Sequence, residues 1–326
     1  MAVDIRASFT AADAIPVKVL LDRDLWNATR RGIITPIHLQ IMPTNTCNQN
    51  CPFCSCAARD KSQVMPLEMA REIITMAVGL GTKAVTITGG GEPLCYPWLD
   101  ELIACFATYH VKVGLVTNGL LLHKVSADTL KKVTWCRISS GDDRSFDTRY
   151  QARLERAVWS APSVDWAFSH VITATPNLLT IGRLVDFANR NKFTHVRLVA
   201  DIFVPETVDM EFVRSSLAKM KIDDCRVVYQ ARNQPTKGGD CYICYLKPVI
   251  GPDAKVYTCC GAQYAFDPPP HDMPKELCLG DARDLESIIA NSRKPFDGSI
   301  CSRCYYSQYN LVLRTMLSEI KHAEFV

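Results

Sequence analysis

The sequence predicts an α/β fold built on a parallel sheet, followed by a small cysteine-rich module. From about residue 36 to residue 220, short and almost continuously apolar runs alternate with amphipathic helical stretches. Strands covered on both faces read this way, whereas half-exposed strands alternate. The polar and glycine-rich clusters all follow the apolar runs, so they gather on one rim of the sheet, where parallel β/α folds carry their chemistry. After about residue 226 the chain changes to short strands, a Pro-Pro-Pro run at 268–270 and paired cysteines, the composition of a module whose limited core is reinforced by metal.

The six apolar runs are Ile37–Met42, Ala84–Thr88, Val111–Thr117, Trp135–Ser139, Ala167–Thr173 and His195–Ala200. Pro66 opens the first helical stretch, Leu67, Ala70, Ile73, Ile74 and Ala77 supply its 3.6-residue stripe, and Gly79 and Gly81 end it. Further helices are expected from about Trp98 to Tyr109, Ser126 to Lys132, Phe146 to Trp159, Leu178 to Asn191 and Met210 to Met220. Strict alternation implies a barrel, part of one, or a doubly wound sheet. The domains expected are an N-terminal arm over residues 1–35 with a short helix near Leu20–Arg31, a β/α body over 36–225, and the cysteine-rich module over 226–326.

With 326 residues the chain exceeds the roughly 100–200 expected of one domain. Its net charge of +3, with basic residues in pairs only, argues against a nucleic-acid-binding surface. No apolar run approaches the ~18 residues of a membrane span, and the N-terminus lacks the order of a signal peptide; a cytoplasmic protein with no membrane partner is expected. Fifteen cysteines in such a chain point to metal rather than disulfides.

The first apolar run leads directly into Cys47-x3-Cys51-x2-Cys54. Three thiolates suit an iron–sulfur cluster or zinc, and three protein ligands leave one metal position open. Cys56 lies only two residues past Cys54, an awkward reach for a fourth ligand. The second run ends in Gly89-Gly90-Gly91-Glu92-Pro93, where glycines admit a ligand close to the backbone and Glu92 offers a carboxylate for an ammonium group. The remaining runs end in Thr117-Asn118-Gly119, Ser139-Ser140-Gly141, Thr173 with Asn177 shortly after, and Asp201.

The cysteine triplet with Phe53 before its last member, and the Gly90-Gly91-Glu92-Pro93 segment, resemble the radical S-adenosylmethionine (SAM) enzymes, with Asn118 and Ser139 matching common features of the third and fourth strands. The resemblance covers about residues 36 to 220 and implies a partial (β/α)6 TIM-like barrel with a small C-terminal iron–sulfur module. It implies that Cys47, Cys51 and Cys54 bind a [4Fe-4S] cluster whose fourth iron is chelated by SAM. Gly90, Gly91 and Glu92 would bind the methionyl amino group, and Ser139 and Asn118 the carboxylate or ribose. It further implies a reductase or a flavodoxin- or ferredoxin-type electron donor, and reductive cleavage of SAM to a 5′-deoxyadenosyl radical that takes a substrate hydrogen.

The C-terminal cysteines, Cys241-x2-Cys244, Cys259-Cys260, Cys278 and Cys301-x2-Cys304, would suit a zinc ribbon on spacing alone. They also resemble the Twitch module of the SPASM/Twitch radical SAM enzymes. This implies one auxiliary [4Fe-4S] cluster on Cys259, Cys301, Cys304 and either Cys241 or Cys244. Ala254 stands where that hairpin usually has glycine. The function expected is oxidation, epimerisation or rearrangement of a small metabolite, modified nucleoside or nucleic-acid base. The alternatives are a ribosomal-peptide-modifying enzyme and a non-catalytic zinc protein. Asp201, His170, Arg144 and Asn177 are candidate substrate-facing groups, against readings of His170 as a core histidine, Arg144 as a surface ion-pair partner and Asn177 as a helix cap.

Overall fold

The computed structural model describes residues 16–141, 146–232 and 235–321. Seven parallel strands form the body: β1 (His38–Ile41), β2 (Ala84–Ile87), β3 (Lys112–Thr117), β4 (Val133–Gly141), β5 (Asp165–Ile172), β6 (His195–Ala200) and β7 (Val227–Gln230). Each pairs with the next in sequence order. That order distinguishes a singly wound barrel-type sheet from a doubly wound one, in which the strand order reverses. The sheet therefore has the expected partial-barrel topology and continues through a seventh strand.

Two short helices, α1 (Val17–Leu21) and α2 (Arg23–Arg30), precede β1. The single helix expected near Leu20–Arg31 is broken at Asp22, which adopts extended backbone and accepts the Leu25 N–H at 3.0 Å. The body helices are α3 (Leu67–Gly79), α4 (Leu99–Thr108), α5 (Ala127–Leu130), α6 (Thr148–Ser160), α7 (Leu178–Arg190) and α8 (Met210–Lys219). Helix α3 buries Ala70, Ile73, Ile74 and Ala77 of the stripe read from the sequence, while Leu67, at its first position, stays partly exposed. Asp147, Asn177 and Asp209 cap α6, α7 and α8 by accepting backbone N–H groups, each cap contributing about 1 kcal/mol.

Side chains alternate across the sheet. On the helix side of β5, Phe168 stacks on Phe193 at 4.6 Å between centroids and meets Phe187 of α7 at 5.9 Å. His170 shares that face: it is fully buried, with Nδ1 3.3 Å from Ser140 Oγ. The other face lines the interior, where register places Arg137 beside Ala167 and His195 on one rung and Ser139 beside Ser169 and Arg197 on the next. Gly114 on β3 makes room for the Trp135 indole, whose Cζ2 would lie 2.1 Å from an added Cβ.

Beyond β7 come β8 (Asp240–Cys241), α9 (Ile243–Leu246), β9 (Val249–Ile250), β10 (Lys255–Tyr257), β11 (Cys278–Asp281), α10 (Leu285–Ala290), β12 (Phe296–Asp297) and α11 (Ser307–Leu317). Strand β9 pairs parallel with β1, and β10 and β11 extend the same sheet antiparallel. Gln40 N–H donates to the Pro248 carbonyl at 3.0 Å and Met42 N–H to that of Ile250 at 2.8 Å. The hairpin is thus fixed to the strand that feeds the first cysteine loop.

Ala254, the residue standing in for glycine, lies in the turn between β9 and β10 at φ 57°. A left-handed backbone costs a residue with a Cβ about 1–2 kcal/mol, part of which a glycine would lose again in unfolded-chain entropy. Ala254→Gly is therefore expected to raise the unfolding free energy by about 0.5–1 kcal/mol in urea titrations. No gain would show that the turn carries no such strain.

Candidate active site

The residue-18-long loop between Cys47 and Val64 closes on its own base. Thr44 bridges Val64, Asn45 N–H donates to the Gln63 carbonyl at 2.9 Å, and Asn45 Nδ2 to Gln63 Oε1 at 3.0 Å. That base presses on the glycine turn after β2. An added Cβ would meet Asn45 Oδ1 at 1.9 Å from Gly90 and the Thr46 carbonyl oxygen at 2.1 Å from Gly91. Gly91 N–H donates to the Thr44 carbonyl at 3.0 Å and Glu92 N–H to that of Thr46 at 2.9 Å. Glycines are required here for close packing of two backbones.

Glu92 is buried, and its carboxylate accepts from Leu94 N–H at 3.1 Å, Asn118 N–H at 2.7 Å and the Thr117 hydroxyl. It ties the ends of β2 and β3 together. Asn118 then donates from Nδ2 to Asn48 Oδ1 at 2.7 Å, inside the cysteine loop. Cysteine loop, glycine turn and Asn118 thus form one connected rim. Ser139 lies on the inner face of the neighbouring strand, β4. Asp201 ends β6, where its carboxylate accepts Phe203 N–H at 3.0 Å. Asn177 is the cap of α7, and His170 faces the helices, so neither lines the interior. Arg144 lies outside the described residues.

Cys47, Cys51 and Cys54 are all partly exposed on this rim. Gln49 N–H donates to Cys47 Sγ at 3.4 Å, and Arg59 Nη1 to Cys54 Sγ at 3.3 Å. Arg59 is 6% exposed and also donates to the carbonyls of Asn45 and Cys56; its role was not apparent from spacing. Hydrogen bonds to ligating sulfurs are among the groups that tune an iron–sulfur cluster. Cys56 differs: burial, with the neighbouring Cys54 next, pushes its thiol up to about 12, and it donates to Gln263 Oε1 of the C-terminal module. It is a tether between two parts of the fold.

A second site lies within the module. Cys241, Cys259, Cys301 and Cys304 line one cavity together with Tyr264 and Tyr306. Gly261 N–H donates to Cys259 Sγ at 3.3 Å and Tyr306 N–H to Cys304 Sγ at 3.4 Å, the same two-residue offset as at Cys47. Cys244 is fully buried, does not line the cavity, and donates to the Cys241 carbonyl at 3.3 Å. Hydrogen bonding from Cys244 holds the Cys241 thiol below its ordinary range, whereas burial pushes Cys244 well up. Of the two, Cys241 is the better thiolate. Cys260 turns away to Tyr306, with Sγ 3.1 Å from the hydroxyl. Among the described residues, no three His, Cys, Asp or Glu side chains converge on a position for a single metal ion.

The interior face carries cations absent from the expected site: Arg137 on β4, Arg197 on β6 and Arg232 just past β7. Burial, followed by Arg137 and then Arg197, pushes His195 down to about 4, so it is neutral near pH 7. The signal was legible as a single arginine inside each of two otherwise apolar strands, Trp135–Ser139 and His195–Ala200.

Residues 41–157 match the family model of the Radical SAM superfamily. Among curated relatives, a GTP 3′,8-cyclase of Helicobacter pylori (strain HPAG1) is 37% identical over 108 residues, 31% of this chain and 33% of that protein. A probable GTP 3′,8-cyclase of Pyrococcus abyssi is 32% identical over 115 residues, 35% of this chain and 37% of that one. The matches therefore span about a third of those relatives. Among solved structures, SuiB of Streptococcus suis aligns with TM-score 0.59 and 18% identity over 87% of this chain and 73% of that one. Native anSMEcpe with bound AdoMet and Cp18Cys peptide aligns with TM-score 0.54 and 14% identity over 86% and 96%. These two likenesses concern the fold. Among the described residues, no helix is long and apolar enough to cross a membrane.

Gly91→Ala is expected to cost about 1–3 kcal/mol of stability and to lower the iron retained after anaerobic reconstitution, because the added methyl must displace residues 45–46. Gly79→Ala, which meets nothing within 4 Å, is the control. Equal iron retention in both variants would show that the close approach does not shape the cysteine loop.

Proposed function

We propose that the protein is a radical SAM enzyme acting on a small metabolite or a nucleoside or nucleotide. The observation that carries this reading is the rim itself: three cysteines after β1, held by hydrogen bonds and close packing against a glycine turn after β2 and Asn118 after β3. Cys47, Cys51 and Cys54 would hold a [4Fe-4S] cluster with one iron open to SAM, and three partly exposed thiols with donors aimed at two of them suit that role. When bound, cluster and SAM supply an electron and a 5′-deoxyadenosyl radical that removes a hydrogen atom from the substrate.

The chain's own residues position and tune. Gly90 and Gly91 bring backbone to the methionyl end of SAM, with Glu92, anchored by three donors, holding the turn beside the ammonium group. Asn118 and Ser139 serve the carboxylate or ribose. Arg59 places a guanidinium beside one thiolate, which stabilises the more negative, reduced state. A reductase or a flavodoxin- or ferredoxin-type protein would supply the electron.

Cys241, Cys259, Cys301 and Cys304 are proposed to hold an auxiliary [4Fe-4S] cluster. Their shared cavity and the backbone donors to sulfur support this set, and the divergent roles of Cys244 and Cys260 support leaving those two out. The relatives named GTP 3′,8-cyclase favour a nucleotide-sized substrate over a macromolecule.

Anaerobically purified protein should be brown and hold about eight irons per chain if both clusters form. Cys51→Ala should abolish 5′-deoxyadenosine formation under dithionite, whereas Cys301→Ala should retain it at least in part. SAM cleavage by the Cys51 variant, or a colourless wild-type protein holding zinc, would overturn the reading.

A further inference from the structure

Two arginines project into the barrel interior from β4 and β6, and a third lies near them just past β7. Arg137 and Arg197 occupy adjacent rungs of β4 and β6 on the face away from the helices, and Arg232 lies two residues past the end of β7. Burial lowers the pKa of Arg197, with Arg137 and then Arg232 adding to it, and burial lowers that of Arg137, where nearby Cys260 opposes the shift and Arg232 adds to it. All three keep part of their surface accessible, so they are not sealed in packing.

Among the described residues, none has an acidic partner. The ion pairs among the described residues involve other side chains. Arg197 spends Nε and Nη2 on a single neutral acceptor, Ser169 Oγ, at 3.1 and 2.8 Å. Arg137 lies over the Trp135 ring, 5.4 Å from its centroid, and its buried Nε has no hydrogen-bond partner. A largely buried charge without a counter-charge is destabilising, and repulsion among three adds to it. The groups of the C-terminal module that lie near Arg137 and Arg197 include Tyr264, Tyr306 and Cys260, which carry no positive charge.

We propose that Arg137, Arg197 and Arg232 form a clamp for an anionic group of the substrate, a phosphate or a carboxylate, held deep in the barrel. Guanidinium groups suit both, because their planar N–H forks match oxyanions and bidentate pairs also fix orientation. The cation charge is prepaid in the fold, so the anion both neutralises the three cations and is oriented toward the rim. The carbon presented for hydrogen abstraction then lies on the far side of the substrate from its charge. This names a substrate class for the proposed enzyme, yet the binding step it describes does not require SAM cleavage.

The test uses reconstituted holoprotein with pyrophosphate and with succinate as probes, at ionic strength matched by chloride. At least one probe should raise Tm above the chloride control, and the identity of that probe separates phosphate from carboxylate recognition. Arg137→Met and Arg197→Met should each weaken calorimetric binding of that probe by about tenfold or more, the loss of one charge-assisted contact. Without probe, Arg197→Met should melt no lower than wild type, because an unpaired buried cation is removed; a merely structural arginine would lower Tm. The proposal is overturned if neither anion exceeds chloride, or if both variants keep wild-type binding. Failure of the wild type to form 5′-deoxyadenosine would instead overturn the proposed function and leave the anion result standing.

Discussion

The close approach of two backbones sets the geometry of the rim. Residues 44–46 leave β1, Gly89–Gly91 leave β2, and they pack so tightly that a methyl group at Gly90 or Gly91 would overlap Asn45 or Thr46. Glu92 and Asn118 extend this contact to β3 through a carboxylate with three donors and an Asn118–Asn48 bond. The three cysteines are therefore presented by a braced loop at the end of a sheet strand. Precision of this kind matters where a cluster must leave one iron facing one cofactor.

The same strand fixes the C-terminal module. Strand β1 pairs with β2 on one side and with β9 on the other, so a shift of the hairpin would be felt at the first cysteine loop. Cys56 to Gln263, and His271 Nδ1 3.4 Å from the Cys54 carbonyl, are direct contacts between loop and module. On the opposite side Arg303 Nη1 reaches the Ile202 carbonyl at 3.3 Å, and Phe203 meets His271 at 4.4 Å between centroids. The module thus touches the loops that follow both β1 and β6.

Much of this was legible in the sequence because burial on two faces leaves nearly continuous apolar runs, which located β1 to β6. Strand β7, four residues reading Val-Val-Tyr-Gln with alternating exposure, carries too little of that signal. The cysteine triplet and glycine turn were legible because their spacing is short and local. Arg59 was not, since its bond to Cys54 exists only once the loop folds back on itself. The two strand histidines show what register decides: His170 falls on the helix face beside Phe168, whereas His195 falls on the interior face beside Arg137, and neither sequence context separates them. Cys241 and Cys244 were separated by the folded surroundings, which bury Cys244 fully and leave Cys241 lining the cavity.

The central claim is that Cys47, Cys51 and Cys54 leave one iron open to SAM. Electron–nuclear double resonance on the reduced protein, with SAM labelled by 15N at the methionyl amino group, reads this directly. A hyperfine coupling between that nitrogen and the reduced cluster is expected in the wild type and should vanish in Cys51→Ala. A reduced cluster whose spectrum does not respond to SAM, with no nitrogen coupling, would contradict the claim.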